Sequence, residues 1–369
     1  MHFVIGANIE DSYTTGMGRQ MHGLGDALQA KGHRVEYLFA DTLAVPNRRR
    51  WSRLEAPFRA AAALRRIART ADSPPIAILH EPIAWATALI AKKRVRTVAM
   101  VHACELKGWP VELATRAATG EQIKASSRIV FPLTELSQTY ASLRLSDGVF
   151  CLSSSDLDYI VNRLGVRADR VVRIDNGVDG SFMGLSFDDA ERTKDLLFVG
   201  SWIPRKGIRI LLSALERIAG SGLRPTLTLA GTGLPENEIR PQLPEPWRST
   251  AEILPHVPPR DLVQLYRRHK ILVLPSIAEG IPLVVLEAMA CALCLVVTNV
   301  GGIPDVVDNG LTGWVVPALD ATALSDAMTR ALLNPDSARS LGRAAHEKMQ
   351  SYGWSRSASQ VEEFSTRVF

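Results

Sequence analysis

The chain has 369 residues, of which 46% are hydrophobic and 22% charged, with a formal net charge of +5. This is the composition of an ordinary globular protein, and the length suggests two domains. No run approaches the roughly 18 consecutive apolar residues of a membrane span. The four scattered cysteines exclude a disulfide framework.

The chain opens with a short apolar run, residues 3–7, which predicts a buried strand. The run lacks the basic flank and the long apolar region of a secretory signal, so we expect a cytoplasmic protein. The next segment, Thr-Thr-Gly16-Met-Gly18-Arg, predicts a turn ahead of a helix, where backbone amides could cradle a phosphate. As a dinucleotide fingerprint it is incomplete, because Met21 stands where the third glycine belongs. A plain loop with a helix cap is the alternative.

Positive charge is concentrated in the first half of the chain. Residues 1–180 carry 24 Lys+Arg against 18 Asp+Glu, which leaves 19 against 20 for the rest. Eight of the arginines run from Arg48 to Arg69, interleaved with apolar side chains such as Trp51 and Phe58. Two interpretations stay open: a helix lying on anionic lipid at the inner membrane surface, or a solvated helix that caps the domain. No nucleic-acid-reading motif accompanies the charge, so we expect no nucleic-acid partner.

Short β-rich runs then alternate with helical patterns, which predicts a parallel sheet covered by helices. His102 and the pair His80-Glu81 stand at the ends of two such runs, at the expected mouth of the sheet. A lone histidine at a strand end is more often structural. Asp156 and Asp158 spell the D-x-D of metal-dependent transferases, but they follow three serines at a helix start, which favours a capping role.

A polar stretch, residues 180–194, is predicted to be a linker between two domains of residues 1–179 and 195–350. A second series of strand-like runs begins at residue 195. We therefore predict an α/β protein with two Rossmann-like domains facing a cleft, with ligands at the carboxyl ends of the strands. A tail helix of about residues 337–369 is long enough for residues 351–369 to return to the first domain.

A second glycine-rich turn, residues 198–207, reads Phe-Val-Gly200-Ser201-Trp-Ile-Pro-Arg205-Lys206-Gly ahead of a predicted helix. Two cations at a helix start oppose the helix dipole. This placement favours a diphosphate bound between Arg205 and Lys206.

A third turn carries two carboxylates, Glu279 and Glu287, eight positions apart across a glycine, Pro282 and an apolar helix start. Pro282 suits a first helical turn. Glu279 is expected on the loop and Glu287 about a turn and a half into the helix, where both can face a ligand at the helix N-terminus.

In combination these motifs resemble those of retaining nucleotide-sugar glycosyltransferases, in particular glycosyltransferase family 4, which has the GT-B fold. The third turn resembles the acidic-x7-acidic motif of that family. The second turn resembles its G-R-x-x-x-K-G signature, except that Ser201 occupies the usual arginine position and Arg205 is a candidate replacement. The sequence Gly301-Gly302-Ile-Pro-Asp305 resembles the G-G-x-x-E turn of the family, with aspartate in place of glutamate.

By this resemblance Lys206 and Arg205 neutralise the departing diphosphate, Glu279 and His102 bind the donor sugar, and Glu287 binds the ribose. The backbone near Gly231 and Val257 is expected to hold the base. The predicted donor-binding residues are Gly16, Gly18, Gly200, Ser201, Gly231, Val257, Gly280, Ile281, Pro282, Leu283 and Glu287.

The resemblance implies hexosyl transfer from a UDP- or GDP-sugar to an acceptor hydroxyl. The sequence contains no recognisable metal-ligand cluster, so we expect no metal cofactor. A sugar or a lipid-linked glycan of the cell envelope is the expected acceptor, and a soluble metabolite is the alternative. Two rivals differ in class. A Rossmann dehydrogenase is disfavoured by the incomplete fingerprint, and a catalytically silent nucleotide-sugar-binding or membrane-scaffold protein is disfavoured by Lys206, Glu279 and Glu287.

Overall fold

The computed structural model describes residues 1–13, 15–43, 52–118, 125–186 and 189–369. Contacts between residues divide this chain into two compact units. One comprises Met1–Gly177 together with Trp354–Phe369, and the other is Val178–Gly353. Each unit has its own parallel sheet, so the prediction of two Rossmann-like α/β domains is confirmed.

The first unit is built on a parallel sheet in the order β2-β1-β3-β4-β5-β6. Its described strands are β1 (His2–Gly6), β2 (Arg34–Leu38), β3 (Ile76–His80), β4 (Arg96–Val101), β5 (Gly148–Cys151) and β6 (Val171–Arg173). The helices are α1 (Gly16–Ala30), α2 (Ser52–Thr70), α3 (Ala84–Ile90), α4 (Glu105–Ala118), α5 (Ala125–Phe131), α6 (Ser137–Leu145) and α7 (Ser154–Asp158). The central strands are buried on both faces, as expected of a parallel sheet covered by helices.

The second unit repeats this plan in the order β12-β11-β10-β7-β8-β9. Its described strands are β7 (Lys194–Val199), β8 (Leu227–Ala230), β9 (Glu252–Leu254), β10 (His269–Leu274), β11 (Cys294–Thr298) and β12 (Trp314–Val316). The helices are α8 (Ile208–Gly220), α9 (Glu236–Ile239), α10 (Trp247–Thr250), α11 (Pro259–Arg267), α12 (Leu283–Ala290), α13 (Ile303–Val306), α14 (Ala321–Leu333) and α15 (Pro335–Met349).

Strand order fixes where a ligand can bind in such a sheet. In the second unit the first and fourth strands in sequence, β7 and β10, lie side by side, and the chain winds outward from them in both directions. Loops leave the carboxyl ends of these two strands in opposite directions, which opens a crevice at this point. In the first unit the equivalent reversal lies between β1 and β3.

The end of the chain differs from the prediction of a single tail helix, which is wrong. Helix α15 ends at Met349, and a separate helix α16 (Trp354–Val368) follows. Helix α16 packs in the first unit, where the Trp354 ring covers Gly23 and Gly177. An added Cβ would lie 2.4 Å from that ring at Gly23 and 2.5 Å from it at Gly177. The Phe364 ring meets Phe150 of β5 edge to face at 5.1 Å.

The predicted linker, residues 180–194, contains the 3₁₀ turn Gly180–Phe182 and continues into β7. The Phe182 side chain is buried, and its ring lies 5.9 Å from that of Tyr266. None of the helices in the described ranges combines the length and apolar content needed to span a bilayer.

Candidate functional site

The site in the second unit lies where its strand order reverses. The loop after β7 carries Lys206, and the loop after β10 carries Glu279. These side chains are 73 residues apart in sequence, yet Lys206 Nζ lies 2.6 Å from Glu279 Oε1. Both side chains are largely shielded, with 15% of the lysine and 8% of the glutamate exposed. The fold thus brings together the predicted phosphate-binding and sugar-binding groups.

The loop after β7 is shaped by a short 3₁₀ turn, Pro204–Lys206, and by Gly207, whose φ is +72°. An added Cβ at Gly207 would lie 1.8 Å from the Pro275 carbonyl oxygen, so only glycine fits. The Ile277 amide donates to the Arg205 carbonyl at 2.8 Å. The loops after β7 and β10 are therefore joined by backbone contact as well as by the ion pair.

Ser276 is the first polar side chain after β10, and it supports Glu279. Its hydroxyl donates to Glu279 Oε1 at 2.7 Å. Its own carbonyl accepts from the Thr298 hydroxyl at 2.5 Å. Ser276 is fully buried. Nothing in the sequence pattern singled it out, because a serine after a strand is ordinarily a loop residue.

The glycine pair after β11 packs against the same loop. Gly301 has a φ of +56°, and an added Cβ would lie 1.8 Å from the Glu279 carbonyl oxygen. The Gly302 amide donates to the Gly280 carbonyl at 2.7 Å. The clash and the positive φ explain the glycine at position 301.

Glu287 lies in helix α12, which begins at Leu283. Pro282 precedes the helix in an extended conformation, so its predicted place within the first helical turn is wrong by one residue. Glu287 is 4% exposed, and its Oε2 accepts a hydrogen bond from the Tyr266 hydroxyl at 2.9 Å. Tyr266, fully buried on α11, is a further residue that the sequence patterns did not indicate.

The remaining predicted residues of this unit lie on the neighbouring loops. The Gly200 amide donates to the Ala230 carbonyl at 2.9 Å, and the Gly231 amide donates to the Leu254 carbonyl at 2.8 Å. Ser201 and Arg205 are exposed, and Val257 is half-buried. Gly280 and Ile281 are both buried.

In the first unit, Gly16 and Gly18 lie in the first turn of α1 rather than ahead of it. Thr15 caps this helix, because its Oγ1 accepts from the Gly18 amide at 3.1 Å. An added Cβ at Gly18 would lie 1.8 Å from the Ser12 carbonyl oxygen, so this glycine is needed for packing. At Gly16 an added Cβ would meet no atom of the described residues within 4 Å.

His102 follows β4 and lies beside His80 of β3, with ring centroids 5.0 Å apart. Its Nε2 is shielded from solvent and has no hydrogen-bond partner among the described residues. Burial of the ring lowers the pKa of His102 to about 4. The imidazole is therefore neutral at physiological pH, and its Nε2 can donate or accept one hydrogen bond with a neutral ligand group. The adjacent Glu81 is also buried, and burial raises its pKa well above the ordinary value.

Asp156 and Asp158 have different hydrogen-bond partners. The Ser153 hydroxyl accepts from the Asp156 amide at 3.0 Å, which makes Ser153 the N-cap of α7. Asp156 is buried and accepts from Lys107, whereas Asp158 accepts from Asn162 at 2.7 Å. In the described part of the chain, no group of three or more His, Cys, Asp or Glu side chains is placed to hold a metal ion.

The predicted amphipathic segment from Arg48 to Arg69 is described only in part, because residues 44–51 lie outside the described residues. Helix α2 buries Ala56, Ala60 and Leu64 in the core. The opposite side is cationic, and Phe58 remains 51% exposed. The described arginines on this helix are all exposed: Arg53, Arg59, Arg65, Arg66 and Arg69.

Two protein-family profiles match the chain. The profile described as Glycosyltransferase Family 4 matches residues 14–182, and that described as Glycosyl transferases group 1 matches residues 193–334. Glycogen synthase of Mycobacterium tuberculosis is 31% identical over 219 residues, which are 58% of this chain and 52% of that protein. The chain thus spans about half the length of this curated relative.

Two solved structures are similar over the whole chain. Sucrose-phosphate synthase from Thermosynechococcus elongatus has a TM-score of 0.79 at 19% identity and covers 100% of this chain and 99% of its own. Anabaena Alr3699/HepE in complex with UDP-glucose has a TM-score of 0.73 at 16% identity and covers 100% of both chains. At these identities the similarity concerns the fold, which is of the GT-B type.

Proposed function

Because this chain belongs to glycosyltransferase family 4, we propose that it transfers a hexosyl group from a UDP- or GDP-sugar to an acceptor hydroxyl with retention of configuration. The observation that carries the proposal is the ion pair between Lys206 and Glu279 at the strand-order reversal of the second unit. A phosphate-binding cation and a hydroxyl-binding carboxylate in direct contact suit a ligand that carries both a diphosphate and a sugar. UDP-glucose, which is bound in the Anabaena structure, is such a ligand.

In the proposed reaction, stabilisation of the leaving diphosphate is the main catalytic contribution. Lys206 binds the phosphate, and Arg205, exposed on the same turn, adds a second positive charge. Glu279 and His102 bind sugar hydroxyls, and Glu287 binds the ribose. A neutral His102 suits this assignment, since its unpartnered Nε2 can meet an uncharged hydroxyl.

We assign no carboxylate as a nucleophile. The bond from the anomeric carbon to the phosphate oxygen breaks as the bond to the acceptor oxygen forms on the same face. The proton of the acceptor hydroxyl passes to the departing phosphate oxygen. Glu279 Oε1 already accepts from Lys206 and Ser276, which suits a group that orients the sugar.

The acceptor is proposed to be a lipid-linked glycan or glycolipid of the cell envelope, with the protein bound peripherally at the membrane surface. The cationic side of α2 and the exposed Phe58 favour this class over a soluble metabolite. A catalytically silent scaffold remains the alternative of another class.

A panel of nucleotides and nucleotide sugars tests the donor. UDP, GDP, UDP-glucose and GDP-mannose are added in a thermal-shift assay, where a ligand that binds only the folded protein raises its stability with the logarithm of its concentration. We expect one base to dominate. NMR of the product's anomeric proton then reads retention directly. Binding without sugar transfer to any membrane-extracted or soluble acceptor would favour the silent scaffold.

A further inference from the structure

The carboxylate of Glu279 is held by two donors on a single oxygen. Lys206 Nζ and Ser276 Oγ lie 2.6 and 2.7 Å from Oε1. No hydrogen bond reaches Oε2 from the described residues. One oxygen of the carboxylate is thus anchored, and the other is left for a ligand.

Lys206 and Ser276 are expected to respond differently when the nucleotide sugar binds. Lys206 is proposed to bind the diphosphate, so the incoming phosphate competes with Glu279 for its ammonium group. A carboxylate held by the lysine alone would lose its orientation when the ammonium turns to the phosphate. The Ser276 hydroxyl is uncharged, so an incoming anion does not compete with Glu279 for it as it does for the ammonium group.

Ser276 is itself held in place by the backbone around it. Its side chain is fully buried at the end of β10, and its carbonyl accepts from the Thr298 hydroxyl of β11 at 2.5 Å. The next residue, Ile277, donates its amide to the Arg205 carbonyl at 2.8 Å. Contacts with β11 and with the loop after β7 therefore fix the backbone that carries the serine hydroxyl.

We propose that Ser276 is the positioning residue for Glu279: it keeps the carboxylate oriented, with Oε2 toward the donor sugar, while Lys206 exchanges its bond to Glu279 for one to the phosphate. This inference rests on the proposed function. It assigns to a buried serine part of the discrimination between a nucleotide sugar and the free nucleotide. Ser276 does not touch the ligand and acts through Glu279.

The experiment compares Ser276→Ala with a matched control, Ser325→Ala. Ser325 is also buried in the second unit, but its hydroxyl donates to a carbonyl within its own helix at 2.9 Å. Calorimetry gives the Kd of UDP, GDP, UDP-glucose and GDP-mannose for each protein. Loss of a hydrogen bond to a charged group is expected to raise the Kd of the preferred nucleotide sugar about tenfold. The Kd of the free diphosphate should stay within about twofold, and Ser325→Ala should change neither.

Two further variants separate positioning from a structural role. Ser276→Thr retains the hydroxyl and should restore most of the sugar discrimination. In a Glu279→Ala background, Ser276→Ala should have no further effect on the ratio of the two Kd values, because it acts only through the carboxylate. A general loss of folding would instead weaken the binding of both the nucleotide sugar and the free diphosphate in both backgrounds.

The outcomes are distinct. Wild-type protein that binds no nucleotide sugar overturns the proposed function and this inference together. Wild-type protein that discriminates sugar from free nucleotide, with Ser276→Ala discriminating equally well, overturns only the role of Ser276. The role of Ser276 is also overturned if Ser276→Ala changes the ratio of the two Kd values equally in the wild-type and Glu279→Ala backgrounds.

Discussion

Lys206 and Glu279 neutralise each other across two loops of the second unit, at 2.6 Å between Nζ and Oε1. Each is a charged group with little exposed surface, and burying either one alone would be costly. The ion pair gives each of them a partner of opposite charge. A ligand that offers an anionic phosphate to the lysine and hydroxyls to the carboxylate replaces that mutual bond and leaves both groups with a hydrogen-bond partner.

Replacing Lys206 by alanine should reduce kcat about a hundredfold or more, as expected for a donor that stabilises charge on a leaving group. The surface variant Lys270→Ala is a matched control. That lysine lies in the same unit and pairs with Asp195 at 2.8 Å. Steady-state transfer rates and circular dichroism on both variants make the comparison. Transfer near the wild-type rate in Lys206→Ala would refute the phosphate assignment.

Transfer should continue in EDTA, because Lys206, Arg205 and backbone amides are proposed to hold the diphosphate without a metal. The measurement is the initial rate in EDTA, with and without added Mg²⁺ or Mn²⁺. Complete loss that magnesium restores would return attention to Asp156 and Asp158. In that case Asp156→Asn should abolish the metal response, and Asp169→Asn, an exposed residue of the same unit, should not.

Folding stability should fall in mild acid because of His269. Its ring is fully buried between the Leu265 carbonyl, 2.6 Å from Nδ1, and the Thr228 hydroxyl, 2.8 Å from Nε2. Burial is the main cause that lowers its pKa to about 4, below the ordinary value of 6.5. The folded protein therefore keeps this imidazole neutral, while the unfolded chain takes up a proton below about pH 6.5. The stabilisation is complete above that pH and is lost toward pH 4, by about 1.4 kcal/mol per pH unit for one such group.

Urea unfolding at pH 7.5, 6 and 5 measures this slope. His269→Gln should flatten it, whereas His256→Gln, at an exposed position, should leave it as in the wild type. Equal slopes for all three proteins would mean that His269 does not contribute.

Binding to anionic vesicles should depend on the cationic side of α2. Each arginine near an anionic surface contributes about 1 kcal/mol, so changing Arg65, Arg66 and Arg69 to serine should weaken binding about a hundredfold at low salt. Binding should also fall as salt is raised. Vesicle co-sedimentation makes the measurement.

A charge-matched control comes from three exposed arginines of the second unit, Arg248, Arg260 and Arg339, also changed to serine. Equal losses for both triple variants would point to nonspecific attraction. The absence of vesicle binding at low salt, together with full activity on a soluble acceptor, would move the acceptor to the small-molecule class.

The sequence patterns predicted the repeated α/β architecture because buried parallel strands are short, continuous apolar runs. Two strands at the outer edges of the sheets show this pattern only weakly. β2 reads Arg-Val-Glu-Tyr-Leu and is only partly buried, and β12 has three residues. An edge strand has a neighbour on one side only, so its local pattern carries less apolar signal.

The candidate site was also predictable only in part. Lys206 and Glu279 belong to recognisable local motifs, but their direct contact depends on strand order. Ser276 and Tyr266 have no local motif at all, and their importance comes from where Glu279 and Glu287 are placed. The tail was misjudged because its two helices share a similar amphipathic pattern, and the break at residues 350–353 contains only one glycine.

The packing of Trp354 against Gly23 and Gly177 affects the order in which the two units can fold during synthesis. Domains generally fold as units during synthesis, the N-terminal one first. The first unit cannot complete its packing until α16 has been synthesised. Helix α16 supplies Trp354 and Phe364, whereas the rest of this unit ends at Gly177. The second unit is contiguous in sequence and has all its strands available before α16 emerges. The half that is made later can therefore finish folding earlier.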